Sequence, residues 1–181
     1  FSDILLLLDA INVKVNFIKG KGPLVESFNS LKDIKELPRK LNLESLNPCY
    51  RAIKNVKKEL KGKSLIGFSA APWTLAAYYV EGSITKDLGN IKKFAYKNPK
   101  EMDFLINLLS ELIVKHLTLQ IKAGVDVVQI FDTHANHMDY IMHEKYSIKQ
   151  VIKISKILKN LFPKIPIVYY TKREIDKSYK I

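Results

Sequence analysis

A nearly continuous apolar run at residues 125–131, VDVVQIF, is the feature that most constrains the fold of this chain. It directly follows Gly124, which ends a pattern typical of a long amphipathic helix over residues 99 to about 123. Strands that are buried on both faces of a parallel sheet have such apolar runs. Parallel strands also need long crossover connections, which are usually helices. The sequence therefore predicts a parallel sheet covered by helices.

The same alternation of strands and helices extends on both sides of this run. The other predicted elements, in chain order, are a strand at 13–17, a short helix at 31–37, a helix at 47–60, a strand at 65–68, a helix over 72 to about 80, a helix at about 145–161 and a strand at 165–170. One face of the helix at 47–60 is predicted to carry Ala52, Ile53, Val56 and Leu60. The apolar run at 4–8 fits either a strand or a buried helix.

This order of elements is that of consecutive βα units, which doubly wound sheets and (β/α)8 barrels both use. Polar residues follow two of the strands, Asp132 and Thr133 after one and Thr171 and Lys172 after the other. In a barrel the strand ends gather around one mouth, where active sites lie. No Gly-rich dinucleotide-binding motif follows any strand. We therefore expect an α/β fold, a partial (β/α)8 TIM barrel, with residues 1–181 as a single incomplete domain, because a complete barrel has about 250 residues.

The stretch GFSAAPWTLAAYYVEG, residues 67–82, connects the strand at 65–68 to the next helix. Pro72 fits only the first turn of a helix, and the small residues before it allow a ligand to approach the backbone. Tyr78 lies one turn after Thr74, so its phenol would project from the wall of any pocket at this turn. An ordinary strand-to-helix connection has the same spacing, so the spacing alone leaves both interpretations open.

The formal net charge is +12, and lysine carries almost all of the positive charge because only three of the 30 basic residues are arginines. Nucleic-acid-binding proteins depend on arginine and cluster their basic residues, whereas these lysines are scattered. We expect a solvated lysine-rich surface or attraction of a small polyanion. The single cysteine, Cys49, excludes an internal disulfide and fits a reducing compartment. No apolar run reaches the roughly 18 residues of a membrane span, so we expect a cytoplasmic protein without membrane or nucleic-acid partners.

Three motifs resemble those of the uroporphyrinogen decarboxylase family. The first is the family pattern Gly-Phe-x-Gly-Ala-Pro-Trp-Thr-Leu, followed by Tyr and Glu-Gly, which residues 67–82 match in register with Ala70 in place of the second glycine. The second is FSDIL at residues 1–5, and the third is FDTHA at residues 131–135, which resembles the end of the family's fourth strand. The matched positions of the first motif are Gly67, Phe68, Ala71, Pro72, Trp73, Thr74, Leu75, Tyr78, Glu81 and Gly82.

The resemblance implies roles for four residues. Asp3 would be the carboxylate beneath the four pyrrole N–H groups of a tetrapyrrole, and the Tyr78 hydroxyl would support this carboxylate and the substrate. Asp3 and Tyr78 are thus the expected catalytic residues. Phe68 would line the pocket and Thr133 would face the substrate, so Phe68, Tyr78 and Thr133 are the expected substrate-binding residues.

The resemblance also implies a reaction. The family removes the four acetate carboxyl groups of uroporphyrinogen III as CO2 and yields coproporphyrinogen III in heme biosynthesis, as a homodimer and without a cofactor or a metal. Its arginine-bearing segment lies upstream of the Phe-Ser-Asp segment and its Gly-His segment lies near the C-terminus, and neither is present in residues 1–181. We therefore expect the central part of a longer chain, inactive by itself.

Two other functions remain open at this point. A corrinoid-linked methyltransferase of the same superfamily would need a zinc site made of His and Cys ligands. His134 and His137, three residues apart and without a nearby cysteine, form only a weak candidate for such a site. The other alternative is a non-catalytic basic binding module or an inactive fragment.

Overall fold

The computed structural model describes residues 3–18, 22–28, 30–38, 43–83 and 85–174. The strands are β1 (Val15–Ile18), β2 (Gly22–Val25), β3 (Ile66–Ala70), β4 (Val127–Asp132) and β5 (Ile167–Thr171). The α-helices are α1 (Leu31–Lys35), α2 (Asn47–Glu59), α3 (Pro72–Glu81), α4 (Gly89–Lys97), α5 (Pro99–Ala123), α6 (Tyr140–His143) and α7 (Lys149–Leu161). The remaining described elements are 3-10 helices at Leu6–Ile11, Glu44–Leu46 and Ala135–His137 and a π-helical segment at Glu144–Ile148.

The strands β3, β4 and β5 form a parallel sheet in that order. Ile66 pairs with Val127, and Val128 pairs with Ile167, so the three strands run side by side. Helices α3 to α5 connect β3 to β4, and the helical stretch from α6 to α7 connects β4 to β5. Strands that are adjacent in sequence and in space, with helices between them, have the arrangement of consecutive units of a (β/α)8 barrel. The three predicted strands are all present, with shifted ends.

The two faces of this sheet differ in burial. Val128 and Ile130 of β4 are fully buried, whereas Phe131 between the buried positions is half-buried. On β5, Val168 and Tyr170 are 42% and 41% exposed. Successive side chains of a strand point to opposite faces, so one face packs against the helices and the other is open. In a closed barrel the open face would look into the interior.

Helix α5 has the predicted bounds and buries most of its apolar side chains. It begins at Pro99 and ends at Gly124, whose φ of 113° lies in the left-handed region that favours glycine. The fully buried leucines include Leu105, Leu109 and Leu112. By length and composition α5 could cross a membrane, with a mean hydropathy of 1.3 in its most apolar window, but 61% of that window is buried inside the protein. Buried core helices share this composition.

The N-terminal part differs from the prediction in one strand. The apolar run at 4–8 belongs to the 3-10 helix Leu6–Ile11, which settles the alternative left open by the sequence in favour of a buried helix. The predicted strand at 13–17 corresponds to β1, which pairs antiparallel with β2. The sequence did not predict β2 because Gly22 and Pro23 are residues typical of turns.

The inner face of α2 also differs from the prediction. Val56 is 46% exposed, so the apolar face of this helix is not buried along its length. The buried residue of this helix is Tyr50, whose hydroxyl lies 2.9 Å from Nδ1 of His116 on α5. Lys57, the residue after Val56, pairs with Asp126 at 2.6 Å. Polar contacts with α5 and with the start of β4 therefore fix the rotation of α2.

Candidate active site

The carboxyl ends of β3, β4 and β5 lie at one edge of the sheet because the strands are parallel and in register. The Ala71 N–H donates to the Phe131 carbonyl at 2.7 Å, which extends the pairing of β3 and β4 to the start of α3. Pro72 occupies the first turn of α3, as predicted. This short connection brings Tyr78 beside the loop that follows β4, where its ring meets that of His134 edge to face at a centroid distance of 5.4 Å.

Asp3 lies within electrostatic reach of Tyr78. The Tyr78 side chain is half-buried, and this burial is the main reason that its pKa lies above the ordinary value of 10.0. The negative charge of Asp3 raises the pKa of Tyr78 further, so the two groups lie within electrostatic reach of each other. Tyr78 therefore keeps its proton at neutral pH, and its hydroxyl is available as a hydrogen-bond donor.

Asp3 is the first described residue of the FSDIL motif, and Phe1 and Ser2 lie outside the described residues. Its side chain is half-buried, and Oδ1 accepts the Leu5 N–H at 2.8 Å. The Asp3 carbonyl accepts the Leu6 N–H at 3.3 Å. These two bonds hold the carboxyl group at the start of the first 3-10 helix.

Three aromatic rings form a row across the open face of the sheet. The centroid of Phe68 lies 6.2 Å from that of Phe131, and Phe131 lies 5.7 Å from Tyr170. Such a row offers a broad apolar surface to a flat ligand. Sequence reasoning identified Phe68 alone. Phe131 and Tyr170 were missed because the register that places them side by side is not visible in the sequence.

The loop after β4 is fastened to α3. The Trp73 indole N–H donates to the His134 carbonyl at 3.2 Å, and Thr133, directly before His134, is half-buried. Burial, with smaller contributions from His137 and Lys172, lowers the pKa of His134 to about 4. The His134 imidazole is therefore neutral at pH 7.

The two histidines of this loop have ring centroids 6.1 Å apart. Nε2 of His134 is buried and has no hydrogen-bond partner among the described residues. Within the same part of the chain, no group of three or more His, Cys, Asp or Glu residues could hold a metal ion. His134 and His137 supply two of the four ligands that a structural zinc site needs.

Asp132 does not face the mouth, and this corrects the sequence-based prediction. Its side chain is fully buried on the helix-covered face of the sheet, where Oδ1 accepts a hydrogen bond from the Thr74 hydroxyl at 2.9 Å. Its other oxygen contacts the hydroxyls of Ser147 and Tyr169. Because side chains alternate along β4, Phe131 and Asp132 point to opposite faces.

The sequence comparisons identify one family along nearly the whole chain. The sequence model of the family described as uroporphyrinogen decarboxylase (URO-D) matches residues 1–180. A uroporphyrinogen decarboxylase from Rickettsia bellii is 39% identical over 173 residues, and one from Campylobacter jejuni strain 81-176 is 34% identical over 174 residues. Each match covers 95% of this chain and 51% of the relative. The chain therefore spans about half the length of the curated relatives it matches.

The structural comparison concerns the fold. A methyltransferase from Methanosarcina mazei superposes with a TM-score of 0.74 at 16% sequence identity, covering 96% of this chain and 50% of the methyltransferase. With the sequential parallel sheet, this likeness confirms the predicted partial (β/α)8 fold. The family match over residues 1–180 agrees with the three sequence motifs. The chain belongs to the uroporphyrinogen decarboxylase family.

Proposed function

We propose that this chain is part of a uroporphyrinogen decarboxylase that converts the four acetate side chains of uroporphyrinogen III to methyl groups. The observation that carries the proposal is the match to the family over residues 1–180, and it is supported by the position of Asp3 within electrostatic reach of Tyr78. The two residues lie 75 positions apart in the sequence, and the Asp3 charge still acts on the Tyr78 phenol.

The reaction needs little from the protein because the substrate is its own electron sink. Protonation of a pyrrole carbon beside an acetate gives a cationic ring, which accepts the electron pair released as the C–C bond to CO2 breaks. A second proton then replaces CO2 on the side-chain carbon, and the ring carbon releases the first proton, which restores the pyrrole. A carboxylate placed under the ring stabilises the cation, and a preorganised contact of this kind contributes roughly 3 to 4 kcal/mol.

The side chains at the candidate site fit these needs. The Asp3 carboxylate supplies the negative charge, and the protonated Tyr78 hydroxyl donates a hydrogen bond that orients the carboxylate or the substrate. Phe68 contributes its ring to the apolar wall of the open face. Thr133, next to the loop that contacts Tyr78, would present its hydroxyl to a substrate carboxyl group.

The remaining features of the proposal follow from the family. The partner is the tetrapyrrole substrate, the complete protein is a homodimer in the cytoplasm, and residues 1–181 form one incomplete barrel domain. The lysine-rich surface favours approach of a substrate that carries eight carboxylates in its uroporphyrinogen form, since long-range attraction raises the local concentration of an anion.

The first experiment replaces Asp3 in the full-length protein. Asp3→Asn keeps the size of the side chain and removes its charge, so we expect a sharp decrease in turnover, of about 100-fold, with the fold intact. Steady-state decarboxylation of uroporphyrinogen measures the effect. Asp9→Asn, an exposed acid on the adjacent 3-10 helix, is the matched control and should keep the parent rate. An Asp3→Asn rate within about threefold of the parent would contradict the assigned role.

The second experiment separates this function from the methyltransferase alternative. We expect a strong chelator to leave decarboxylation unchanged, because the proposed chemistry uses the substrate's own ring as electron sink. Activity of the full-length protein is measured before and after dialysis against the chelator. A loss of decarboxylation that zinc restores would contradict the metal-free mechanism, and zinc-dependent methyl transfer to a corrinoid without decarboxylation would support the methyltransferase alternative.

A further inference from the structure

We propose that Asp132 is a neutral, protonated carboxylic acid that positions the two segments carrying Thr133 and Tyr78. Asp132 directly precedes Thr133 in the sequence. Thr74, which binds Asp132, lies one helical turn before Tyr78 on α3. The inference on catalysis rests on the proposed function, whereas the protonation state of Asp132 does not.

Side chains from three elements converge on the Asp132 carboxyl group. Thr74 of α3 donates to Oδ1 at 2.9 Å, while Ser147 of the π-helical segment and Tyr169 of β5 contact Oδ2, the latter at 3.1 Å. Asp132, Thr74 and Ser147 are all fully buried. The π-helical segment places the Ser147 hydroxyl against the Asp132 carboxyl group. π-helical turns are frequent at functional sites.

The number of hydrogen atoms in this cluster points to the acid form. Oδ2 of Asp132, the Ser147 hydroxyl and the Tyr169 hydroxyl form a triangle, because the two hydroxyl oxygens also lie within 2.7 Å of each other. A triangle of three hydrogen bonds needs three hydrogen atoms, and two hydroxyls supply two. A proton on Oδ2 supplies the third, so each oxygen donates once and accepts once. An ionised Asp132 would leave one pair of oxygens facing each other without a hydrogen.

The charges around Asp132 favour the same state. None of the ion pairs between described residues includes Asp132. Two cations near the ends of the adjoining elements have other partners: Lys145 pairs with Asp103, and Arg173 donates to the Met138 carbonyl. A fully buried carboxylate without a cation is costly, and burial is the largest cause that raises the Asp132 pKa, against the lowering effect of its three hydrogen bonds.

The tyrosines and the histidine nearest to this cluster on the packed elements are neutral at pH 7. They are Tyr78 on α3, His143 and Tyr146 beside Ser147, and Tyr169 on β5, the last being in direct contact with Asp132. Burial raises the pKa of each tyrosine and, with Arg173, lowers that of His143 to about 4. A neutral acid at Asp132 therefore adds no uncompensated charge to the cluster.

The Asp132 cluster holds the segments of the candidate site from the helix-covered face of the sheet. The bond from Thr74 to Asp132 and the bond from Trp73 to His134 join adjacent residues of α3 to both flanks of Thr133. Tyr78 lies on the same helix, so these two bonds also fix the position of its hydroxyl relative to Thr133. Loss of the hydrogen bonds to Asp132 would shift Thr133 relative to Tyr78. A small misplacement of reacting groups can lower a rate by about 100-fold.

The first test measures unfolding of the full-length protein by denaturant between pH 4.5 and 8, for the wild type and Asp132→Asn. The amide of asparagine has two hydrogens on nitrogen and an oxygen acceptor, so it can satisfy Ser147, Tyr169 and Thr74. A native acid holds a proton that the unfolded chain releases above about pH 4. The folding constant of the wild type relative to Asp132→Asn should therefore fall as pH rises, by about tenfold per pH unit until the native pKa is reached. A ratio that is constant or rises with pH would refute the protonated state.

The second test measures kcat and KM for uroporphyrinogen. Asp132→Leu fills a similar volume without hydrogen bonds, and we expect its kcat to fall about 10- to 100-fold with a smaller change in KM. Asp132→Asn should recover most of this loss. Ser110→Ala, which removes a buried hydroxyl that donates to the Ile106 carbonyl of α5 at 2.7 Å, is a control for general destabilisation and should leave kcat unchanged. Equal kcat values for Asp132→Leu and Ser110→Ala would refute the positioning role.

A wild-type protein without decarboxylase activity would refute the proposed function, and the folding ratio would still decide the protonation state.

Discussion

At the scale of single residues, a chain of buried polar side chains is held by partners that are distant in the sequence. The Gln120 amide binds both backbone groups of Phe68, accepting its N–H at 2.9 Å and donating to its carbonyl at 2.8 Å. His116 lies between Gln120 and Tyr50, with contacts of 2.6 and 2.9 Å. This chain of bonds connects α2 through α5 to β3. It fixes the backbone of Phe68, whose ring belongs to the proposed pocket wall.

The pH dependence of stability tests the state of His116. Burial lowers the pKa of His116 to about 4 from 6.5, so between these values the unfolded chain binds a proton that the native protein excludes. The contribution of His116 to the free energy of unfolding is fully present above about pH 6.5. It is lost as the pH decreases toward 4, by about 3 kcal/mol in total. Denaturant unfolding of His116→Gln should show a shallower decrease than the wild type.

The comparison isolates His116 because Asp132, which acts in the opposite direction, is present in both proteins. His137→Gln, on the half-buried loop after β4, controls for the loss of an imidazole elsewhere. If the free energies of unfolding of His116→Gln and the wild type decrease equally with pH, native His116 binds a proton as readily as in the unfolded chain.

At the scale of secondary-structure elements, local signals predicted the helix ends that carry them. Pro99 and Gly124 bound α5 as expected, since proline suits the first helical turn and glycine the left-handed residue after the last. Helix α4 was missed because Leu88 before it has a φ of 52° and provides no side-chain cap. The sequence offers no start signal there, and tertiary packing forms the helix.

The candidate site was predictable only where a motif fixes the roles of its residues. The resemblance to the family paired Asp3 with Tyr78, and the structure places them within electrostatic reach. The position of Asp132 was predicted wrongly, because a strand-end acid can point to either face and the choice depends on register. Its partner Ser147 lies 15 residues away and Tyr169 lies 37 away, so no local pattern reveals the cluster.

The contact between β3 and α5 gives a prediction at this scale. A Cβ atom added at Gly67 would lie 2.6 Å from Oε1 of Gln120 and 3.0 Å from a methyl of Val125. The Gln120 oxygen is held by the Phe68 N–H, so Gly67→Ala must displace it and leave a buried donor unpaired. We expect a loss of about 1 to 3 kcal/mol in the free energy of unfolding of the full-length protein.

Gly89→Ala is the matched control for this substitution. The nearest atom to an added Cβ at Gly89 is Oδ2 of Asp87 at 3.5 Å, an ordinary contact, and Gly89 begins α4. Alanine there should leave stability unchanged or raise it by up to about 1 kcal/mol. Equal stabilities of Gly67→Ala and Gly89→Ala, measured by denaturant unfolding, would show that Gln120 adjusts without losing its bonds.

At the scale of the whole molecule, the sheet is covered by helices on one face and open on the other. Ile66, Val168 and Tyr170 are 53%, 42% and 41% exposed on the open face. In a closed (β/α)8 barrel this face is filled by layers of side chains from all eight strands. The described part of the chain contributes three parallel strands to such a barrel, and the chain spans about half of its curated relatives. The pocket wall and the incomplete barrel interior are therefore the same surface.

This surface predicts the behaviour of residues 1–181 expressed alone, which we expect to be inactive and poorly folded. The outer edges of β3 and β5 would leave backbone groups without a neighbouring strand, and such edges promote association between chains. Covering a large apolar side chain contributes about 1.5 to 3 kcal/mol, so several uncovered side chains are a large loss against a total stability of about 5 to 15 kcal/mol. Thermal unfolding followed by circular dichroism, with light scattering for oligomeric state, should show a broad transition and association. A sharp, cooperative transition from a monomeric sample would contradict the open-barrel interpretation, because it would mean that three strands and their helices form a self-contained α/β domain.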